Sequence, residues 1–351
     1  MRYQKVMIYS FALIMLLFIL AFILGCDDDK PNGPVEPKDY PVYFCELTKP
    51  QLFTFYPIAR RVDSTDISWQ PVTIQLSADG RILYFNNNDG SHLAVNSSDL
   101  SIIADLSGPV FGVSPDNQLI AISQNGVKIL RTSDYSVFFE DFTLPVQSSV
   151  FSFDGESFYC NTYTSVYKVD LTDSSYPITK IDITTEGGIV HVIPSVDETK
   201  LFLNIHKATW LWAFEVYDIL EDSIIFRDYL VPGYGHMAIS PDGRYVFYTN
   251  PGRSGTDPPS QLPGFKIFNI ETNQIERVVE DTNFCSGSGW VAFPNLPVVT
   301  PDSRWLVMLG GSFNLGVLYL YDIQMGELVH RDDWGGYSHL FTPSLAVQYY
   351  K

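Results

Sequence analysis

Basic residues are scarce in this chain, and their scarcity excludes a class of partners. The 351 residues include 22 lysines and arginines against 40 aspartates and glutamates, so the formal net charge is −18 at pH 7. A surface of this sign repels phosphate backbones and anionic lipid headgroups. The composition therefore argues against binding to DNA, to RNA or, through charge, to a membrane surface.

Cysteines are also few, and their pattern indicates no chemistry. The chain has four, of which Cys45, Cys160 and Cys285 follow the N-terminal segment. An odd number argues against a disulfide framework, and Cys45 and Cys160 are predicted to lie in strands that are far apart. We therefore predict buried thiols. The sequence also lacks a Gly-x-Ser-x-Gly elbow, a phosphate-binding loop, a complete EF-type loop and a Cys-x-x-Cys pair.

Long apolar runs are absent after residue 24, but one precedes it. Val6–Leu24 is mostly apolar, follows Arg2 and Lys5, and ends just before Cys26. A basic start, an apolar stretch and a small residue at the break are typical of a secretory signal. We therefore expect the rest of the chain to lie outside the cytoplasm.

The end of this run, Ile23-Leu24-Gly25-Cys26, resembles a bacterial lipoprotein box. The resemblance implies that Cys26 carries a lipid, becomes the new N-terminus and holds the protein on a membrane. The alternative is an uncleaved signal anchor, because a run of this length at ~1.5 Å per residue nearly spans a bilayer.

The residues after Cys26 indicate a tether. Asp27–Asp29 resembles both a signal that retains lipoproteins at the inner membrane and one that exports them to the cell surface, so a periplasmic and a surface location both stay open. The stretch is rich in Asp, Pro and Lys and could hold a domain about 40 Å from the membrane. We divide the chain into a signal (1–25), a lipidated cysteine with its acidic tether (26–40) and one domain (41–351).

A short turn motif organises that domain. In Ser240-Pro241-Asp242-Gly243, proline sets φ for a turn, aspartate bonds nearby N–H groups and glycine accepts a positive φ. Variants recur at spacings of 37, 38, 43, 45, 60 and 42 residues. They begin at Ser77, Ser114, Ser152, Ser195, Ser240, Thr300 and, in degenerate form, Thr342. Such a period with strand-like flanks predicts a β-propeller with one four-stranded blade per unit.

The two ends of the domain predict how the ring closes. Six units are complete, whereas the last one stops after two strands, around 338–341 and 345–349. Two unmatched strands, 41–46 and 51–56, precede the first unit. We predict an all-β, seven-bladed propeller of four-stranded antiparallel blades, in which N- and C-terminal strands share one blade.

The Pro-Asp turns support a family resemblance over residues 41–351. Pro115-Asp116, Pro241-Asp242 and Pro301-Asp302, with strand ends such as Val169-Asp170 and Tyr321-Asp322, resemble the repeats of WD-repeat, YVTN-type and TolB-like propellers. The Trp-Asp dipeptide of true WD repeats is absent. The resemblance implies a fold, but this scaffold carries many functions.

Two long loops and several ring side chains are predicted on one face, where the B–C and D–A connections of the blades meet. The loops are 251–264 and 282–294, and long loops on a rigid scaffold often bind partners. A passive insertion is the alternative. The aromatic candidates for ligand contact are Tyr234, Trp290 and Tyr337.

Three histidines follow glycine-rich loops at the predicted starts of innermost strands: His191, His236 and His339. In register, they would point at the mouth of the central channel, where imidazoles can bind a ligand or a metal. The alternative is a structural role, because the Gly-His pair of WD repeats, which these positions resemble, forms hydrogen bonds within its own blade. We identify no metal site and no cofactor from the sequence.

Acidic residues recur on or just after the outermost strands of six units. Carboxylate pairs there could bind Ca²⁺ or act as acid and base. Their spread favours a simpler interpretation, in which charge on outer strands prevents edge-to-edge association. The residues are Asp105, Glu140, Asp141, Asp182, Asp228, Glu280, Asp281, Asp332 and Asp333.

Two functions remain open. The first is a non-catalytic, monomeric envelope protein that binds a protein or polymer ligand on the loop-rich face. The second is a propeller enzyme of the lactonase, lyase or quinoprotein type with its site at the channel. We favour the first, because the sequence does not assemble the polar constellation that an enzyme needs.

Overall fold

The computed structural model describes residues 38–45, 50–144, 146–208, 211–230, 236–250, 263–280, 293–312, 315–335 and 345–347. These residues form strands, turns and loops. In chain order the strands are β1 Val42–Cys45, β2 Gln51–Tyr56, β3 Arg61–Asp66, β4 Pro71–Leu76, β5 Ile82–Asn87, β6 His92–Asn96, β7 Ile102–Asp105, β8 Val110–Val113, β9 Leu119–Ser123, β10 Val127–Arg131, β11 Val137–Asp141, β12 Ser149–Phe151, β13 Ser157–Asn161, β14 Ser165–Asp170, β15 Ile178–Asp182, β16 Gly188–Pro194, β17 Lys200–Ala208, β18 Leu211–Asp218, β19 Ser223–Leu230, β20 Met237–Ile239, β21 Tyr245–Asn250, β22 Gly264–Asn269, β23 Gln274–Glu280, β24 Phe293–Val299, β25 Trp305–Ser312, β26 Leu315–Asp322, β27 Glu327–Gly335 and β28 Leu345–Val347. Among the described residues, no helix has the length and apolar character needed to cross a membrane.

The strands form seven four-stranded antiparallel sheets, which are the blades of a β-propeller. Blade 1 is β4–β7, and each following group of four strands makes the next blade up to blade 6, β24–β27. In each of these blades the first strand is innermost and the fourth outermost. Successive blades pack face to face, so each apolar cluster draws its residues from two neighbours. Phe214 of blade 4, for example, stacks on Tyr248 of blade 5 with ring centroids 4.2 Å apart.

Blade 7 joins the two ends of the domain, as predicted, but its strands divide differently. Its order is β28-β1-β2-β3, with Val42 opposite Val347 and Phe44 opposite Leu345. The C-terminal side contributes one described strand and the N-terminal side contributes three. The prediction of two from each side was wrong, because it missed β3. The predicted strand at 338–341 lies outside the described residues.

The missed strand has no apolar pattern to reveal it. Five of the six residues of Arg61–Asp66 are exposed, since the outermost strand of a blade has solvent on its free edge and little packing on its faces. The innermost strand, Leu345–Val347, stands where the sequence suggested a second strand. Its backbone pairs with β1, whose Val42 and Phe44 are almost fully buried.

The turn motif folds as its chemistry predicts. In five of the six units the Ser or Thr hydroxyl donates to the Asp carboxylate two residues later, at 2.6–2.7 Å. In the fifth unit, Ser240 donates to the Tyr245 carbonyl oxygen at 3.3 Å instead. The fourth residue of each of the six described motifs has a positive φ, between 54° and 76°, whether it is Gly, Asn, Glu or Ser. The turn therefore demands this backbone, and glycine is the residue that adopts it most easily.

Where the fourth residue is not glycine, its side chain contacts the preceding blade. The Asn117 side-chain oxygen accepts from the Asp79 N–H at 3.2 Å, and the Ser303 hydroxyl accepts from the Asp242 N–H at 3.1 Å. Glu198 accepts from the Tyr159 hydroxyl and lies 2.7 Å from the Lys168 ammonium. These contacts fasten blades 1, 3 and 5 to their successors, and they offset the backbone strain of a non-glycine residue.

The two cysteines in the described residues, Cys45 and Cys160, are buried thiols, as predicted. Cys45 lies in blade 7 and Cys160 in blade 3. Burial raises the pKa of the Cys160 thiol to about 12, so it stays protonated at neutral pH. Cys285 lies outside the described residues.

The closure of the ring can be tested by a cross-link. Tyr43 and Ala346 are direct partners on β1 and β28, and opposite residues of antiparallel strands have Cα atoms about 4.5–5.5 Å apart, within reach of a disulfide. We expect the Tyr43→Cys/Ala346→Cys protein to form this disulfide on oxidation, as measured by mass spectrometry of a protease digest. The matched control, Tyr43→Cys/Val347→Cys, is offset by one residue and should cross-link far less. Equal yields from both pairs would contradict the register.

Candidate functional site

His191 and His236 occupy equivalent places in the ring. Each stands four residues before the serine of its turn motif, Ser195 or Ser240, at the inner edge of blade 4 or blade 5. His339, the third predicted histidine, stands only three residues before Thr342 and lies outside the described residues.

The innermost strands of blades 1–5 line a cavity in the central channel. Its volume is about 220 Å³. Most of the described lining is apolar, and its polar members are Gln75, Ser149 and His191. No Asp, Glu, Lys or Arg belongs to the lining within the described part of the chain. The cavity is therefore an apolar space with a few hydrogen-bonding groups, as in many small-molecule sites.

Both imidazoles are uncharged at neutral pH. Burial lowers the pKa of His191 to about 4, because little water is near to solvate the imidazolium. Burial also lowers the pKa of His236 to about 4, and the repulsion between two protonated rings, those of His191 and His236, acts in the same direction. An uncharged imidazole has one N–H donor and one nitrogen acceptor, so either ring can bond a ligand in both senses.

Backbone hydrogen bonds fix His236 in place. Its N–H donates to the Thr249 hydroxyl at 3.2 Å, and its carbonyl oxygen accepts from the Thr249 N–H at 3.1 Å. No described residue forms a hydrogen bond with the ring of His236 or of His191. The hydrogen bonds of His236 within its own blade are therefore made by its main chain.

An asparagine opposite His191 is a site residue that sequence reasoning missed. Asn204 on β17 pairs with His191 on β16, so both side chains lie on the same side of the sheet. Its equivalents in two other blades bridge to the next innermost strand. Asn86 bonds both the N–H and the carbonyl of Val110 at 2.8 Å, and Asn161 donates to the Ile189 carbonyl at 2.9 Å. A polar residue nine positions after the turn serine was the pattern that could have revealed it.

Two polar atoms near the cavity have no partner in the described part of the chain. They are the hydroxyl oxygen of Ser149, a residue of the cavity lining, and the side-chain oxygen of Asn204, and neither atom is accessible from the cavity. Both residues are more than nine-tenths buried. Most buried polar groups in native proteins are hydrogen-bonded. These two atoms and the ring of His191 are therefore polar groups of blades 3 and 4 that have no hydrogen bond to a described residue.

A second cluster lies on the loop face, which we define as the side of the ring that carries the B–C and D–A connections. Tyr163 and Tyr229 there are 58% and 48% exposed. The Tyr163 ring contacts the backbone at Gly188, and the Lys207 ammonium lies 4.2 Å from the centre of the Tyr229 ring. Glu186 accepts from Lys207 and from the Tyr229 hydroxyl. We call Tyr163, Glu186, Lys207 and Tyr229 the aromatic patch.

A buried carboxylate supports this patch from below. Glu215 is fully buried, and Arg227 donates to it at 2.6 Å while donating to Glu186 at 3.0 Å. Burial raises the pKa of Glu215, and the Arg227 guanidinium opposes that shift. A buried carboxylate beside a partly exposed arginine holds the arginine in one orientation. The polar rim of the patch is therefore preorganised.

The acidic residues of the outer strands have separate partners. Asp228 of blade 4 lies 2.7 Å from the Lys266 ammonium of blade 5 and accepts from the Tyr248 hydroxyl at 2.8 Å. Asp182 accepts from the Ser165 hydroxyl and from Lys180 within blade 3, and these bonds lower its pKa. Among the described residues, no group of three or more His, Cys, Asp or Glu could hold a metal ion. Asp228 is thus an inter-blade contact, beyond the edge-protecting role suggested by the sequence.

The other predicted site residues cannot be placed. Cys26, Tyr234, Trp290, Tyr337 and His339 all lie outside the described residues, as do nearly all of the loops 251–264 and 282–294.

Comparisons with known proteins support the fold and leave the function open. No protein-family model and no curated protein matches the chain. A structure named as a candidate 6-phosphogluconolactonase from Bacteroides fragilis is similar, with 14% identity, a TM-score of 0.61, and coverage of 90% of this chain and 99% of that one. The β-propeller domain of Cps50 (Swd1) from Myceliophthora thermophila is also similar, with 12% identity and a TM-score of 0.57, and the match covers 76% of this chain and 86% of that one. Dihydro-heme d1 dehydrogenase NirN, in complex with DHE, matches with 13% identity and a TM-score of 0.54, over 88% of this chain and 75% of that one. At these identities the likeness shows a β-propeller and nothing finer.

The uncharged state of His191 can be tested through stability. Its pKa is lower in the folded chain than in the unfolded one, so the unfolded chain binds the proton first and stability falls as the pH drops below about 6.5. Between about pH 7.5 and 5.5, we expect the wild type to lose about 1 kcal/mol more of its unfolding free energy than His191→Gln. Denaturant titrations at the two pH values measure this difference. His236→Gln should behave alike, and equal losses in wild type and variants would contradict the burial of these rings.

Proposed function

We propose that this protein is a lipid-anchored, extracytoplasmic binding module that holds a protein or polymer ligand on the loop face of its propeller. The observation that carries the proposal is the aromatic patch. Two tyrosines that are about half exposed lie beside an ordered group of charges, on the face where the longest loops of the sequence begin and end. Such a surface offers apolar contact area and fixed hydrogen-bonding groups together.

The composition of the patch favours a ligand that both stacks and accepts hydrogen bonds. Tyrosine supplies a large ring with a polar end at low cost in conformational entropy, and it is enriched where binding energy is concentrated. Lys207 and Arg227 offset the charges of Glu186 and Glu215, so the local charge is balanced although the whole chain is acidic. A partner can therefore approach this patch with less electrostatic repulsion than elsewhere on the surface.

The N-terminal sequence supports the anchoring part of the proposal. A lipid on Cys26 and an acidic tether over residues 26–40 would hold the domain near a membrane while its surface stays repelled by anionic headgroups. The bound ligand would then belong to the cell envelope, either in the periplasm or at the cell surface.

The channel cavity favours an enzyme as the second candidate function. The unprotonated imidazole of His191 lines the channel cavity, where it could accept a proton from a bound substrate. Two of the similar solved structures are named as enzymes, one a dehydrogenase and one a candidate lactonase. Hydrolysis of lactones by the purified domain, abolished in His191→Gln, would favour this function over the first.

The loop-face proposal predicts that two tyrosines carry the binding. We expect Tyr163→Ala/Tyr229→Ala to weaken retention of the ligand about tenfold or more, because exposed rings at an interface are frequent hot spots. One arm measures capture of envelope proteins by the immobilised domain, and the other measures co-sedimentation with insoluble peptidoglycan.

The matched control also truncates two exposed large side chains to alanine, but on the opposite face of the propeller. Leu220 and Met325 are 82% and 60% exposed in the C–D turns of blades 4 and 6, so Leu220→Ala/Met325→Ala should bind as the wild type does. A ligand that both variants lose, or that neither loses, would contradict the assignment of binding to the aromatic patch.

The anchor proposal predicts a change of phase for a single variant. In detergent phase separation, the wild type should enter the detergent phase, and Cys26→Ser should lose its lipid. Mass spectrometry of both proteins separates the two sequence interpretations. A wild type that keeps residues 1–25, with no change of phase in Cys26→Ser, would show an uncleaved anchor and overturn the lipid assignment.

A further inference from the structure

The exposed aromatic side chains of this domain are confined to one face. Among the side chains that the structure describes, three Phe, Tyr or Trp residues are exposed: Phe142, Tyr163 and Tyr229. Phe142 directly follows β11, the outermost strand of blade 2, Tyr163 lies in the B–C loop of blade 3, and Tyr229 is near the end of β19 in blade 4. All three therefore lie on the loop face, whereas the two most exposed aliphatic side chains, Leu220 and Met325, lie on the opposite face.

Two of these aromatic residues have the same kind of polar neighbour. The Lys128 ammonium lies 6.0 Å from the centre of the Phe142 ring and 3.5 Å from the Glu140 carboxylate. In the aromatic patch, Tyr229 likewise has a lysine beside its ring, and that lysine pairs with a glutamate. Both aromatic residues are about half exposed, so a ligand can reach the ring and the paired donor and acceptor together.

The three rings form a row across adjacent blades. Blades 2 and 3 pack against each other, as do blades 3 and 4, and each contributes one exposed aromatic residue. Ion pairs stand beside the first and the third ring. A flat protein partner would have to desolvate those pairs, which costs free energy that their attraction repays only in part. A long, hydrated molecule can instead contact the rings one after another and keep water at the charged groups.

The charge of this surface limits the kind of polymer that fits it. The whole chain carries a formal charge of −18, which repels anionic polymers. In the row of rings each lysine is paired with a glutamate, so donors and acceptors are present together with little net charge. Hydroxyl groups can donate to the carboxylates and accept from the ammonium groups. The matching polymer is therefore uncharged and rich in hydroxyl groups.

The chain enters the domain on the opposite side of the ring. The Asp39 carboxylate accepts from the N–H groups of Ile58 and Ala59 at 2.9 and 3.0 Å. These two residues lie in the turn between β2 and β3, which joins the third and fourth strands of blade 7 and so belongs to the face opposite the loop face. A tether anchored at Cys26, as proposed, therefore leaves the loop face free to meet a polymer of the cell envelope.

We infer that the loop face of blades 2–4 binds a neutral polysaccharide of β-linked pyranose units, which lies across Phe142, Tyr163 and Tyr229. In such a polymer the axial C–H groups give each sugar a flat apolar face with a partial positive charge, which suits the negative face of an aromatic ring. The hydroxyl groups around that face pair with the neighbouring lysines and glutamates. The inference rests on the proposed function, because it keeps the loop face as the binding site, and it adds Phe142 and the class of polymer.

The length and the charge of the ligand test this inference. Cellohexaose and chitohexaose are neutral, β-linked probes, and titration calorimetry with the purified protein compares each with its disaccharide. We expect at least one hexasaccharide to bind about tenfold or more tighter than its disaccharide, because the longer chain reaches the rings of more than one blade. The same hexasaccharide with its primary alcohols oxidised to carboxylates should bind about tenfold or more weakly. Binding of neither neutral hexasaccharide, or tighter binding of the oxidised one, would overturn the inference.

Variants of Phe142 test the row of rings, because this residue lies outside the aromatic patch. Phe142→Leu keeps an apolar side chain but removes the ring, so it should weaken hexasaccharide binding about three- to tenfold. Phe142→Tyr keeps the ring and should bind as the wild type does. The matched control is Val137→Ala, which shortens a 47% exposed side chain at the other end of the same strand, on the opposite face. It should leave binding unchanged.

The outcomes separate this inference from the proposed function. Hexasaccharide binding that Tyr163→Ala/Tyr229→Ala weakens but Phe142→Leu does not would keep the loop-face site and overturn the row across three blades. Capture of an envelope protein that depends on the two tyrosines, without any binding of a hexasaccharide, would keep the proposed function, identify its ligand as a protein and overturn the inference. Hexasaccharide binding that none of these variants changes would contradict both.

Discussion

The pairing of β1 with β28 is the constraint on which the rest of the molecule depends. A propeller blade exposes one apolar face to each neighbour, so a row of blades leaves two such faces in water until its ends meet. Here the ends meet inside one blade, where Val42 lies opposite Val347. The hydrogen bonds of that ladder hold the chain's two extremities together, and the apolar faces of blades 1 and 6 then pack on blade 7. The central channel exists only because this ladder closes the ring.

Much of this fold could be predicted because the decisive chemistry is local. A serine, an aspartate and a residue with positive φ within four positions define each turn, and their repetition gives the number of blades. The strand Arg61–Asp66 was not predicted, because an outermost strand needs no apolar face and its sequence therefore does not alternate between apolar and polar residues. The strand positions of His191 and His236 follow from the turn spacing. The surroundings of His191 do not, since Asn204 lies opposite it on the neighbouring strand and most of the cavity lining comes from four other blades, at distances along the chain that no local pattern encodes.

The joints between blades show how the ring tolerates imperfect repeats. At the fourth turn position glycine suits the backbone best, yet Glu198 stands there with a φ of 54°. Its carboxylate binds Lys168 and Tyr159 of the preceding blade, so a contact between blades offsets the local strain. Gly243 has the same backbone, and a side-chain carbon there would lie 2.6 Å from Val196 of the preceding blade. At the fourth turn position, glycine thus occurs at residue 243, where the preceding blade leaves no room for a side chain, and glutamate occurs at residue 198, where its side chain bonds the preceding blade.

Polar side chains near the outer edge of the propeller and those near its axis differ in how completely they are hydrogen-bonded. Near the outer edge, a half-buried charge such as Asp228 meets a lysine and a tyrosine of the next blade. Toward the axis, Asn86 and Asn161 bond the next innermost strand, whereas the side-chain oxygen of Asn204 bonds no described residue. The asparagine at this position is hydrogen-bonded to the next blade in blades 1 and 3, but the side-chain oxygen of Asn204, opposite His191, has no such bond with a described residue. An unbonded buried oxygen lowers the stability of blade 4. The same blade contributes His191 to the lining of the channel cavity. The asymmetry of the repeat therefore distinguishes blade 4 from blades 1 and 3.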